Sequence, residues 1–121
     1  MIVNSGLAIT TNRLRGGGTE PRFAHWGTGT TAPVGTNTAL EAPTAEVRVD
    51  GTSTQQTTTT TNDTYRVIAI LVAAGTRAIT EAGLFDALTA GNLFFRGVFP
   101  ALNLVANDSV QLTFNTVYAR P

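Results

Sequence analysis

Residues 79–100, ITEAGLFDALTAGNLFFRGVFP, set Glu81, Asp86 and Arg96 in a strongly apolar stretch. Burial raises the pKa of a carboxylate, and a raised pKa suits a general acid or base. One reading is therefore a carbohydrate-binding or hydrolytic β-sandwich using Glu81 with a turn acid such as Asp86. A retaining glycosidase needs two carboxyls ~5 Å apart and an inverting one up to ~9.5 Å. The chain offers such a site little help: one His (His25), no Cys, no Lys, and acids that fall mostly in turns. With a turn centred near residue 89, Glu81 faces Gly97 and Arg96 lies one step away diagonally. A charge-assisted Glu81–Arg96 pair follows, a structural carboxylate rather than a catalytic one. The sequence thus predicts no catalytic residues and no enzyme.

The other chemistry-bearing stretches are weaker. His25 beside Trp26 invites a ligand or stacking site, but a lone His builds no metal site, and Glu20, Glu41 and Glu46 show no ligand spacing. Trp26 reads instead as a core or interface anchor. GTGTT at 27–31 superficially resembles a phosphate loop, yet the closing Gly-Lys-Ser/Thr is missing and no helix follows. RLRGGG at 13–18 has two Arg near glycines without the interleaved aromatics of single-strand binding. No metal, cofactor or small-molecule substrate is expected.

These residues would be positioned by an all-β scaffold. Residues 1–16 mix an apolar start with a one- or two-turn helix, capped by Ser5, with Leu7 and Leu14 one helical period apart; an early strand is the alternative. FAHWG (23–27) reads as a short buried strand or an anchoring turn, and 28–44 shows no sustained period. From 45 onward all segments read as strands. AEVRV alternates, Asp50-Gly51 signals a type I′ hairpin, and the threonine-rich 52–61 returns as a polar edge strand. TYRVIAILVAA (64–74) is a central strand, 78–85 and 92–99 flank a turn at 86–92, and 109–118 closes the fold after a turn at Asn107-Asp108. The expected architecture is an antiparallel β-sandwich or jelly-roll-like domain over 45–121, preceded by an N-terminal segment and extended arm over 1–44, one domain overall.

Composition fits an assembly subunit and a small soluble β domain with an ordinary surface about equally. Charged residues are 13%, about half the usual quarter, and formal net charge is zero. Such a balance offers no basic face to nucleic acid or anionic lipid. No apolar run approaches the ~20 residues that span a bilayer, and MIVNSGLAIT lacks the basic start of a signal peptide. Within the 79–99 hairpin, Leu84 and Phe85 point to opposite faces, as do Phe94 and Phe95. Both faces must be covered, one by the sandwich core and the other by a neighbour or the arm. Trp26, Leu40, Phe85, Phe94, Phe95 and Phe99 are the interface candidates. The arm, with Leu40 as one anchor, is expected to be ordered by another chain.

WGTGTTAPVGTNTALEAPTAEVRV, AITEAGLFDALTAGNLFFRGVF and NLVANDSVQLTFNTVY, in that order over 20–118, together resemble a recurring small structural protein of tailed bacteriophages. The shared features are an aromatic-Gly-x-Gly-Thr opening, an E-x-G-L-F strand, a hairpin and a closing strand. The resemblance implies a virion structural protein, most like a capsid decoration (cement) protein. Such a protein is made in the host cytoplasm and stands as a homotrimer on the major capsid protein lattice at the outer capsid surface. A tail, neck or fibre-base module is the alternative; the short chain, without a fibre extension or a peptidoglycan-cutting segment, favours the head.

Overall fold

A computed structural model describes residues 1–121. One helix, α1 (Asn4–Leu14), precedes seven strands: β1 (Phe23–Gly27), β2 (Val49–Asp50), β3 (Thr52–Gln56), β4 (Thr64–Val72), β5 (Arg77–Phe85), β6 (Leu93–Leu104) and β7 (Ser109–Val117). They form two antiparallel sheets, ordered β2-β1-β5-β6 and β3-β4-β7, an all-β sandwich. Alternation decides which face goes inside. Val67, Ala69 and Leu71 of β4 and Phe114 of β7 meet Ala24 and Trp26 of β1, Ile79, Ala82 and Leu84 of β5, and Phe94 of β6. β4 is central, as its branched apolar run predicts.

Several boundaries differ from those the sequence predicts. β1 is an interior strand between β2 and β5, so residues 1–44 are not an appendage to a core over 45–121. Asp50-Gly51 makes no hairpin. β2 and β3 lie in different sheets, and the chain crosses between them at Gly51, whose N–H donates to the Arg22 carbonyl at 2.8 Å. A Cβ there would stand 2.6 Å from Val67 Cγ1, so the glycine serves close approach rather than a turn. Of AEVRV only Val49 enters a ladder. The threonine run does not extend β3 either. The backbone N–H groups of Thr58, Thr59 and Thr60 donate to the Asp63 carboxylate at 2.8–3.0 Å and wrap the run into a loop. Those bonds, together with one from the Thr64 hydroxyl, hold the Asp63 carboxyl well below the usual range against the opposing effect of burial.

The N-terminal segment takes the helical alternative, with three turns. Its N-cap is Val3, and Ser5 instead donates its hydroxyl to the Leu93 carbonyl. The buried face carries Gly6 and Ile9, while Leu7 and Leu14 face solvent. Gly6 lies against the Phe94 carbonyl, where a Cβ would not fit. Met1–Val3 run along β6 through mutual Met1/Arg96 backbone bonds and a Val3 N–H to Phe94 carbonyl bond.

Candidate functional site

Glu81 and Arg96 meet on the face of β5 and β6 that points away from the sandwich core. Glu81 pairs in register with Val98, not Gly97, and Arg96 pairs with Gly83, two residues along and on the same face. The shift arises where three residues of β6, 99–101, oppose Thr80 alone. Pro100 sits among them, where a missing N–H leaves no ladder bond unmade.

Glu81 is fully buried and Arg96 is 1% exposed. Glu81 Oε2 accepts from Arg96 Nε at 2.9 Å and lies 2.8 Å from Arg96 Nη2. The same oxygen receives the Glu41 N–H at 3.1 Å, and Oε1 receives the Ala42 N–H at 2.8 Å. Arg96 also donates Nη1 to Asn37 Oδ1 at 3.2 Å and approaches the Glu41 carboxylate at 3.7 Å. The pair therefore fastens the segment 28–43 down at Asn37, Glu41 and Ala42. Around it, Thr28 N–H donates to the Ala42 carbonyl, Gly27 bridges Pro43, and the Thr80 hydroxyl donates to the Gly29 carbonyl.

This overturns the expectation that another chain orders the arm. Leu40 is buried within its own chain, packed with Val3, Phe85 and Leu93. Of the two alternatives for covering the outer face of the hairpin, a neighbour or the arm, the structure supplies the arm. A buried carboxylate is costly unless it is paired and hydrogen-bonded, and this one draws its donors from the arm's backbone.

Glu41, Asn37 and the glycines of GTGTT are the members that sequence reasoning missed. A Cβ on Gly27 would stand 2.5 Å from Glu81 Oε1, and one on Gly29 2.6 Å from Oε2. The Gly-x-Gly after Trp26 thus cradles a carboxylate of the protein itself, and that spacing was the legible signal.

The remaining candidates are dispersed. Trp26, Phe85 and Phe94 are buried in the chain's own core; Phe95 and Phe99 are partly buried against it, and Phe95 meets the Phe114 ring edge-on at 5.8 Å. The Trp26 indole N–H is buried without an acceptor. Asp86 is not brought to Glu81 as a second catalytic carboxylate. It closes the hairpin turn by accepting from the Asn92 N–H at 2.6 Å and from Asn92 Nδ2 at 3.2 Å.

His25 Nε2 lies 2.7 Å from the Glu46 carbonyl, and burial pushes its pKa down. Burial opposes the charge of Glu46, but the Ala74 N–H, which donates to it at 3.2 Å, and the Arg77 guanidinium, also 3.2 Å away, hold its carboxyl at about 2. Arg48 lies 3.5 Å above the centre of the Phe85 ring and donates to the carbonyls of Ala87 and Ala90. No group of three or more His, Asp or Glu side chains is placed to hold a metal ion. The largest groove, about 450 Å³, runs between α1 and β4 and is floored by Ile9, Tyr65 and Phe94.

Compared with protein-family models, curated proteins and solved structures, the chain matches none.

Proposed function

We propose that this chain is a virion structural protein of a tailed bacteriophage, a capsid decoration protein that stabilises the head by covering the major capsid protein lattice. The observation that carries this reading is the outer face of the β3-β4-β7 sheet. Thr52 and Thr54, then Arg66, Ile68, Ile70 and Val72, then Ser109, Gln111, Thr113 and Asn115 lie side by side across it. Arg66 is its only charge and is hydrogen-bonded to Asn115. Ile70 and Val72 are 56% and 52% exposed. A face so poor in charge can be packed against another protein with little ion desolvation.

A protein that binds only the assembled lattice stabilises that lattice by mass action, and this needs surface rather than reactive groups. The resemblance to phage structural proteins gives the partner, the major capsid protein, and the trimeric arrangement on the particle. The buried Glu81–Arg96 pair supports the same reading, since the bonds Glu81 accepts fix a segment of the chain's own backbone.

Immunogold labelling of purified particles with an antibody to this chain tests the proposal. Gold on the heads is expected. Gold confined to tails would transfer the reading to a tail or neck component, and unlabelled particles would overturn it.

A further inference from the structure

We infer that β7 is a self-recognition edge, through which two copies of this chain pair antiparallel about a twofold axis at Thr113. A sheet edge presents unpaired N–H and C=O groups, and proteins blunt such edges with short strands, charges, prolines or coverings. Three of the four edges here are blunted. β2 is two residues long. β3 is five residues long and begins at the Gly51 crossover. β6 is covered by Met1–Val3 over Phe94–Arg96, and Pro100 interrupts it further along. β7 has none of these devices. Its nine residues, SVQLTFNTV, pair with β4 in unbroken register and include no charge and no proline.

The backbone parity fits such pairing. Ala73 N–H to the Asp108 carbonyl and Tyr118 N–H to the Asp63 carbonyl share the β4–β7 register. The even-numbered residues of β7 therefore bond towards β4. Ser109, Gln111, Thr113, Asn115 and Val117 direct their N–H and C=O groups away from it. Antiparallel pairing about Thr113 joins these five to their counterparts with about ten backbone hydrogen bonds.

The side chains are self-complementary in the same register. Thr113 meets Thr113, the amide of Gln111 meets that of Asn115, apolar Leu112 meets Phe114, and β-branched Val110 meets Thr116. Two uncharged edges approach without like-charge repulsion. Beside this edge the sandwich is open. A groove of about 320 Å³ lined by Phe95, Val98, Phe99, Leu112 and Phe114 lies between β6 and β7, ready for the inward side chains of the second copy.

The contact goes beyond the lattice-binding reading and does not depend on it. In solution, where no lattice sets threefold positions, it is the one that forms. A paired strand about 30 Å long offers less than the ~800 Å² per partner of a standard interface, so the association is weak and concentration-dependent.

Sedimentation equilibrium of the full chain from about 1 to 500 µM is the test. The wild type is expected to approach twice its 12.7 kDa mass at the top of that range. Thr113→Lys and Thr113→Glu each set like charges face to face on the twofold and should stay monomeric, with association weakened at least tenfold. An equimolar mixture of the two should restore the pair. Thr113→Pro removes an N–H that β4 does not use and should also be monomeric, while circular dichroism shows the native fold in all three variants. A wild type that remains monomeric, a trimer, or a dimer indifferent to Thr113→Lys would each overturn the inference.

Discussion

Replacing Glu81 with Gln keeps the volume of the side chain and removes its charge. In the wild type the two carboxylate oxygens accept three hydrogen bonds, from Arg96 Nε and the N–H groups of Glu41 and Ala42, and Arg96 Nη2 adds an ionic contact at 2.8 Å. A glutamine has one acceptor oxygen, and its NH2 must face either Arg96 or the Ala42 N–H, donor against donor. Breaking a buried ion pair from one side costs about 3–5 kcal/mol. The Glu41 carboxylate, 3.7 Å from Arg96 and 42% exposed, recovers part of that charge pairing. The expected loss is therefore about 3 kcal/mol for Glu81→Gln, and nearer 5 for Glu81→Ala, which also leaves a cavity. At roughly 3–6 °C per kcal/mol for a chain of this size, Glu81→Gln lowers Tm by about 10–15 °C. Glu81→Met/Arg96→Met removes both charges and should cost less than Glu81→Ala alone, because no buried charge is left over. Calorimetry gives the Tm values, and hydrogen exchange should show the amides of 37–42 losing protection first. A Tm within 2 °C of wild type for Glu81→Gln, or unchanged protection in 37–42, would refute the view that this pair holds the arm.

Gly29→Ala drives a methyl group into the Glu81 carboxylate and should cost about 2 kcal/mol or more in urea denaturation; combined with Glu81→Ala it should add less than that, since both changes release the same segment. Deleting 28–38 should lower the stability of the isolated chain and leave 39–43 unprotected in hydrogen exchange, because the arm docks within its own chain. Glu46 is depressed from 4.5 to about 2 in the folded state, so its contribution is full above pH 4.5 and is lost as pH falls towards 2; the stability gap between wild type and Glu46→Gln should close over that window in pH-dependent denaturation. His25, whose folded pKa is also lowered, adds a loss of the same sign starting below its unfolded value of 6.5, and His25→Gln should remove that part of the slope.

The legible parts of this fold were those that local pattern determines. The apolar branched run of β4, the alternation of β7 and the turns at 86–92 and Asn107-Asp108 each carry their own signal, and each lies where that signal puts it. Charge economy within one hairpin also gave the Glu81–Arg96 partnership. What failed depended on partners that the local pattern does not announce. Asp50-Gly51 has the form of a hairpin turn, but Gly51 is needed to pass close to Val67. The threonines after Gln56 have strand propensity, but one acidic side chain, Asp63, collects their amides. Leu40 has the look of an anchor for a second chain, because nothing local shows that Val3, Phe85 and Leu93 converge on it. In the same way, GTGTT has the look of a phosphate loop until the Glu81 carboxylate, 52 to 54 residues after its first two glycines, is seen against them.

We propose that this sandwich works by covering an assembled lattice. A cryo-EM map of particles purified from cells that carry this chain tests it most directly. One density per chain is expected on the outer head surface, with the arm folded back over β5 and β6 and the outer face of the β3-β4-β7 sheet buried against capsid protein. A head surface without that density, or the sandwich present with this face turned to solvent, would contradict it.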